Sequence, residues 1–147
     1  MTNNQIISYT LLLSPIILGM GSGYFVSRKR IPKVKSKFNP PSWLFMVVWP
    51  ILYLLLGYSS YLIWISKSIN KNIYIILYGI HLLLLLIWWP YFVYFPNRIF
   101  STITLIGLDL YAIILAFLFY GVNKTASYLL IPYIAWLSFA SFLCYNT

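Results

Sequence analysis

Apolar positions fall in five long runs, near residues 6–26, 42–65, 73–93, 99–120 and 126–145, with short polar breaks between them. Each run is continuous and roughly 20 residues long, the length at which a helix rising 1.5 Å per residue crosses the ~30 Å hydrocarbon core of a bilayer. Barrel strands would instead alternate apolar and polar positions over about ten residues. The pattern predicts an all-α, polytopic membrane protein. Residues 1–147 form one five-helix transmembrane domain, and residues 27–39 are its one sizeable polar loop.

Composition strengthens that reading. The chain is 62% hydrophobic, 20% aromatic and only 7% charged, whereas a soluble domain carries about 25% charged residues. A water-facing surface cannot be built from it. The basic residues set an orientation. Arg28, Lys29, Arg30, Lys33, Lys35, Lys37 and Arg98 fall on one side of the five spans, and Lys67, Lys71 and Lys124 on the other. The positive-inside rule then places the N-terminus outside and the C-terminus inside. The formal charge of +9 is mostly this asymmetry, so it does not point to nucleic acid. The leading MTNNQ has no positive charge and no small-residue cleavage site follows it, which predicts a retained first helix. Cys144 stands alone, and no Cys/His cluster has metal-ligand spacing.

Span two holds far more aromatic surface than anchoring requires: Trp43, Trp49, Tyr53, Tyr58, Tyr61 and Trp64. Trp43 and Trp64 fall where interfacial belt rings sit. Trp49 and Tyr53 lie one turn apart on one face, well inside the hydrocarbon. A buried indole N–H or phenol O–H needs a partner there, so that face looks into the bundle, for packing or for a ligand. Pro40 and Pro41 open the helix where a missing N–H costs nothing. In span one, Gly19 and Gly23 have the G-x-x-x-G spacing that allows close helix approach, within the bundle or between copies.

His81 in span three and Asp109 in span four are the only histidine and the only carboxylate. At the helical rise they lie roughly 12 Å and roughly 16 Å from the outer ends of their spans. The spans are antiparallel sequence neighbours, so a His81–Asp109 pair is one expectation. The other is that each finds a carbonyl, hydroxyl or water. In span five, Trp136, Ala140 and Leu143 share one stripe. Trp136 is roughly 13 Å, and Trp49 about 10 Å, from the inner end of its span, with Trp88 just below. An aromatic box beneath a basic loop is expected there, suited to a flat apolar ligand whose acidic groups face Lys and Arg.

The segments PPSWLF, VW, LY and G of span two, the Trp- and Pro-rich end of span three and PYIAWLSFA of span five together resemble the translocator protein (TspO/MBR) family. That family includes the tryptophan-rich sensory proteins and the peripheral-type benzodiazepine receptor. The likeness runs over nearly the whole chain. It implies a five-helix bundle with a pocket opening toward the first loop, binding protoporphyrin IX, heme, sterols or benzodiazepine-type drugs. By resemblance the pocket residues are Trp49, Tyr53, Trp88, Trp136, Ala140 and Leu143, with Gly23 and Val26 from the first helix. His81 and Leu85 stand where the family has Gln and Asn, Cys144 where it has Asn, and Lys35-Ser36 where it has Lys-Pro. Those departures weaken polar recognition of a drug carbonyl more than stacking on tryptophan.

Two kinds of function follow. The first is a membrane receptor or transporter-like binder of tetrapyrroles or sterols, with no cofactor required and porphyrin or heme as the ligand. Its partners are that ligand, the lipid bilayer and, by resemblance, a second copy in a homodimer. The alternatives are light-dependent porphyrin breakdown carried by Trp49 and Trp136, or a small proton-coupled transporter using Asp109. No general acid–base pair or nucleophile supports ordinary enzyme catalysis. A bacterial inner membrane and a eukaryotic organelle membrane (mitochondrial outer or endoplasmic reticulum) fit the sequence equally.

Overall fold

A computed structural model describes residues 2–27, 40–95 and 97–146. They form five helices: α1 (Asn3–Ser27), α2 (Ser42–Trp64), α3 (Lys71–Tyr94), α4 (Arg98–Tyr120) and α5 (Lys124–Tyr145). Every end lies within three residues of the sequence expectation, and all five helices are long and apolar enough to cross a membrane. The basic residues from Arg28 to Lys37, and Ser36 with them, lie outside the described residues.

Local chemistry explains the helix ends. Asn97 and Asn123 cap α4 and α5, their side-chain oxygens accepting from Phe100 N at 3.1 Å and Ala126 N at 3.2 Å. Each cap satisfies a backbone donor that the first turn would otherwise leave free. Pro15, Pro50, Pro90 and Pro132 all remain inside continuous helices. In a bilayer this is tolerated because neighbouring helices meet the carbonyls that proline releases.

The packed seams run α1–α2, α2–α5, α5–α4, α4–α3 and α3–α1, closing a ring, with α2–α3 as a contact across it. Leu52, Leu56, Tyr78, Leu82, Leu105, Leu108, Ala112, Leu130, Tyr133 and Leu137 fill its middle. Outward faces carry Ile17, Met20, Met46, Ile76, Leu83, Ile114 and Phe117, all exposed as a lipid-facing surface requires. Hydroxyls tie the seams: Ser59 Oγ donates to the Ala126 carbonyl and Ser127 Oγ to the Ala116 carbonyl, each at 2.7 Å.

Helices α1 and α2 approach closely at Gly57. A Cβ on Gly57 would collide with the Leu12 carbonyl oxygen and crowd that of Leu11. Leu11 is the residue whose carbonyl Pro15 leaves without its helical donor, and Pro15 is itself buried. Gly57 therefore lets α2 press onto the turn that proline opens. One turn further along, Tyr53 lies against Gly19, where a Cβ would strike its ring. Gly23 has no neighbour within 4 Å of its would-be Cβ. Within the bundle, the G-x-x-x-G spacing is thus used at Gly19 and not at Gly23.

Candidate functional site

Three aromatic side chains of α2, Phe45, Trp49 and Tyr53, recur at four-residue spacing and so line one face. Antiparallel packing of α2 on α5 brings that face to Trp136. The Trp49 and Trp136 rings meet edge to face, centroids 6.4 Å apart at 87°. Trp49 stacks on Tyr53 at 5.6 Å, and Trp136 is flanked by Phe45 at 5.4 Å and Phe139 at 5.6 Å. The two indoles do share one level in the bundle. They fill the space between themselves, because the positive edge of one ring is attracted to the negative face of the other.

Open volume lies beside the contact. A groove of about 430 Å³ runs along the α2–α5 seam, between Val48, Ile51 and Leu55 on one side and Pro132, Ala135 and Trp136 on the other. Its size falls within the range of drug-sized ligand sites. Ile51, Pro132 and Ala135 are exposed, so the groove opens on the bundle's outer face. Trp136 forms part of its wall. The expected enclosed box is therefore a closed aromatic contact with an outward-facing apolar groove on its flank.

The remaining expected ligand residues divide. Ala140 is half-buried against the core, and Leu143 is buried. Trp88 stacks on Phe92, centroids 5.2 Å apart at 14°, and touches Trp89. Gly23 faces open space, and the Val26 side chain lies outside what the structure describes. Two indole N–H groups, those of Trp88 and Trp136, are shielded from the surface and have no acceptor. A buried donor without a partner costs about 1–3 kcal/mol, so both are positions where a ligand acceptor would be favoured.

His81 and Asp109 do not join each other. His81 is 1% exposed, and its Nε2 lies 2.8 Å from the Tyr133 hydroxyl. Its ring also packs on Tyr111 at 4.9 Å, whose own hydroxyl donates to the Leu77 carbonyl. Asp109 Oδ2 accepts from Ser138 Oγ at 2.6 Å, while Oδ1 has no hydrogen-bond partner. The reason is direction: Tyr133 projects from α5 into the ring interior that α3 faces, whereas Asp109 points along the α4–α5 seam. Each polar group finds a hydroxyl, the second of the two expectations. Tyr133, Phe45 and Gly57 are residues that sequence reasoning did not single out. Tyr133 sits inside the PYIAWLSFA segment, on the face marked by Leu130 and Leu137.

Among known proteins, the model of the TspO/MBR family matches residues 11–147. The Tryptophan-rich protein TspO of Chlorobaculum tepidum is 33% identical over 75% of this chain and 71% of its own length. A protein of the same name from Archaeoglobus fulgidus is 29% identical over 90% of this chain and 88% of its own. The Translocator protein of Sus scrofa is 31% identical over 91% of this chain and 78% of its own.

Proposed function

Since the chain belongs to the TspO/MBR family of membrane proteins, we propose that it is a receptor or transporter-like binder of a large, flat, apolar ligand of the tetrapyrrole class. Sterols are the second ligand class of this reading. The observation that supports it is the Trp49–Trp136 contact with a groove alongside. Indoles from two helices meet at one level, and the groove gives a hydrophobic molecule a route to them from the bilayer. The ligand lies first against Trp136 and Pro132. Rotation of the indoles then exchanges their mutual contact for stacking on the ligand, which is of similar strength per ring pair. Unpartnered N–H groups on Trp136 and Trp88 favour a ligand that carries acceptors at its rim. The name of the Sus scrofa relative, a translocator, fits a protein that hands such a molecule on rather than transforming it.

Titrating protoporphyrin IX into the protein in lipid nanodiscs tests this through quenching of tryptophan fluorescence. Saturable quenching is expected, with affinity lowered about tenfold or more when Trp49→Phe and Trp136→Phe are combined. Equal affinity in the double variant would remove the aromatic site from the proposal.

A further inference from the structure

We propose that the cleft where the first turns of α1 meet the α2–α3 turn binds a phosphate group, that of a phospholipid headgroup. This cleft, of about 240 Å³, is formed by Asn4, Gln5 and Ser8 of α1 with Trp64, Ile65 and Lys71. It lies at the end of the bundle that carries the N-terminus, far from the aromatic contact. It depends on the chain's being a membrane protein and not on the tetrapyrrole reading.

Charge balance argues for an external anion. The chain has ten Lys and Arg residues and one Asp. That Asp, Asp109, is eleven positions from the end of α4, roughly 16 Å away at the helical rise, and bonds Ser138. Lys71 therefore has no carboxylate within reach among the described side chains, which leaves its charge available to an anion from outside the chain. At the end of a transmembrane helix, the abundant anion is the lipid phosphate.

The geometry prepares the ammonium for it. Lys71 Nζ donates to the Trp64 carbonyl oxygen at 3.2 Å and sits 4.8 Å from the centre of the Trp64 ring. These contacts hold the flexible side chain over the cleft while using one of three N–H donors. The others are free for phosphate oxygens, to which lysine binds as a point charge. The carboxamides of Asn4 and Gln5 add N–H donors on the opposite wall. Trp64 has the amphipathic ring favoured at headgroup depth. Ile6 and Ile73, in the first turns of α1 and α3, are exposed and apolar, a surface that the acyl chains of a lipid held here would cover.

Native mass spectrometry of the full-length protein, released from nanodiscs of mixed composition, reads the lipid retained. Phosphatidylglycerol should be kept in preference to the phosphate-free monogalactosyldiacylglycerol. Lys71→Gln should lower that preference about tenfold, the effect of one charge-assisted hydrogen bond. Lys67→Gln, an exposed neighbour outside the cleft, should leave it unchanged, and thermal unfolding verifies that both variants fold. Undiminished preference in Lys71→Gln would overturn the site, as would an equal loss in Lys67→Gln. Displacement of phosphatidylglycerol by millimolar inorganic phosphate would overturn the lipid source and make the cleft a free-phosphate site.

Discussion

The Tyr133 hydroxyl and Nε2 of His81, 2.8 Å apart, join two helices that are not neighbours in the ring. α5 and α3 are separated by α4 on one side and by α2 and α1 on the other. The bond spans the interior, and both residues are buried, His81 at 1% and Tyr133 at 0% exposure. In that setting, removing one partner leaves the other unsatisfied. Tyr133→Phe and His81→Leu should each lower stability by about 1–3 kcal/mol. The double variant should cost less than the sum, as thermal unfolding of all four proteins in one detergent will measure. Additive losses would mean the two side chains do not act as a pair.

Glycine positions make a second, contrasting pair. Gly57→Ala pushes a methyl group into the Leu12 carbonyl, and neither backbone can yield without moving a helix. A loss of about 1–3 kcal/mol is expected, the usual range for overpacking. Gly23→Ala meets nothing within 4 Å and should be neutral or stabilise by about 0.5–1 kcal/mol through helix propensity. Urea or thermal unfolding of the two variants side by side decides it; the reverse order would contradict the α1–α2 packing.

Ala135 offers a way to close the groove from outside. It lies on the groove wall and is exposed, so Ala135→Phe adds a ring without displacing core atoms. Porphyrin affinity should fall about tenfold or more, with helix content and unfolding temperature unchanged. Unaltered quenching in this variant would show that the ligand reaches the indoles by another path.

Illumination separates binding from breakdown. The Soret band of protoporphyrin IX bound to the protein should decay no faster than that of the free pigment in the same lipid. A faster loss that disappears in Trp136→Phe would replace the binding reading with light-dependent degradation.

Much of the fold was legible because the hydrocarbon core admits few solutions. Continuous apolar runs of the right length leave no choice but helices, and their ends follow from caps such as Asn97 and Asn123. Counting residues along the rise also put Trp49 and Trp136 at one level, and they touch. What counting cannot supply is direction around each helix axis and between non-neighbours. Depth matched His81 with Asp109, yet α5 reaches across the interior and Tyr133 takes the bond instead. Likewise the G-x-x-x-G pattern drew attention to Gly23, while Gly57 makes the tighter approach without any such pattern. Its significance depends on Pro15 in another helix. The closed indole contact was equally hidden, since rotamers decide whether two rings at one height leave a gap or meet.

The His81–Tyr133 crossbar, set among the leucines of the middle, has a bearing on traffic. Among the described residues, the bundle's own side chains fill its axis at mid-height. On the proposed reading, a passenger would ride the flank along the α2–α5 groove, half in protein and half in lipid, a path that suits molecules already at home in oil.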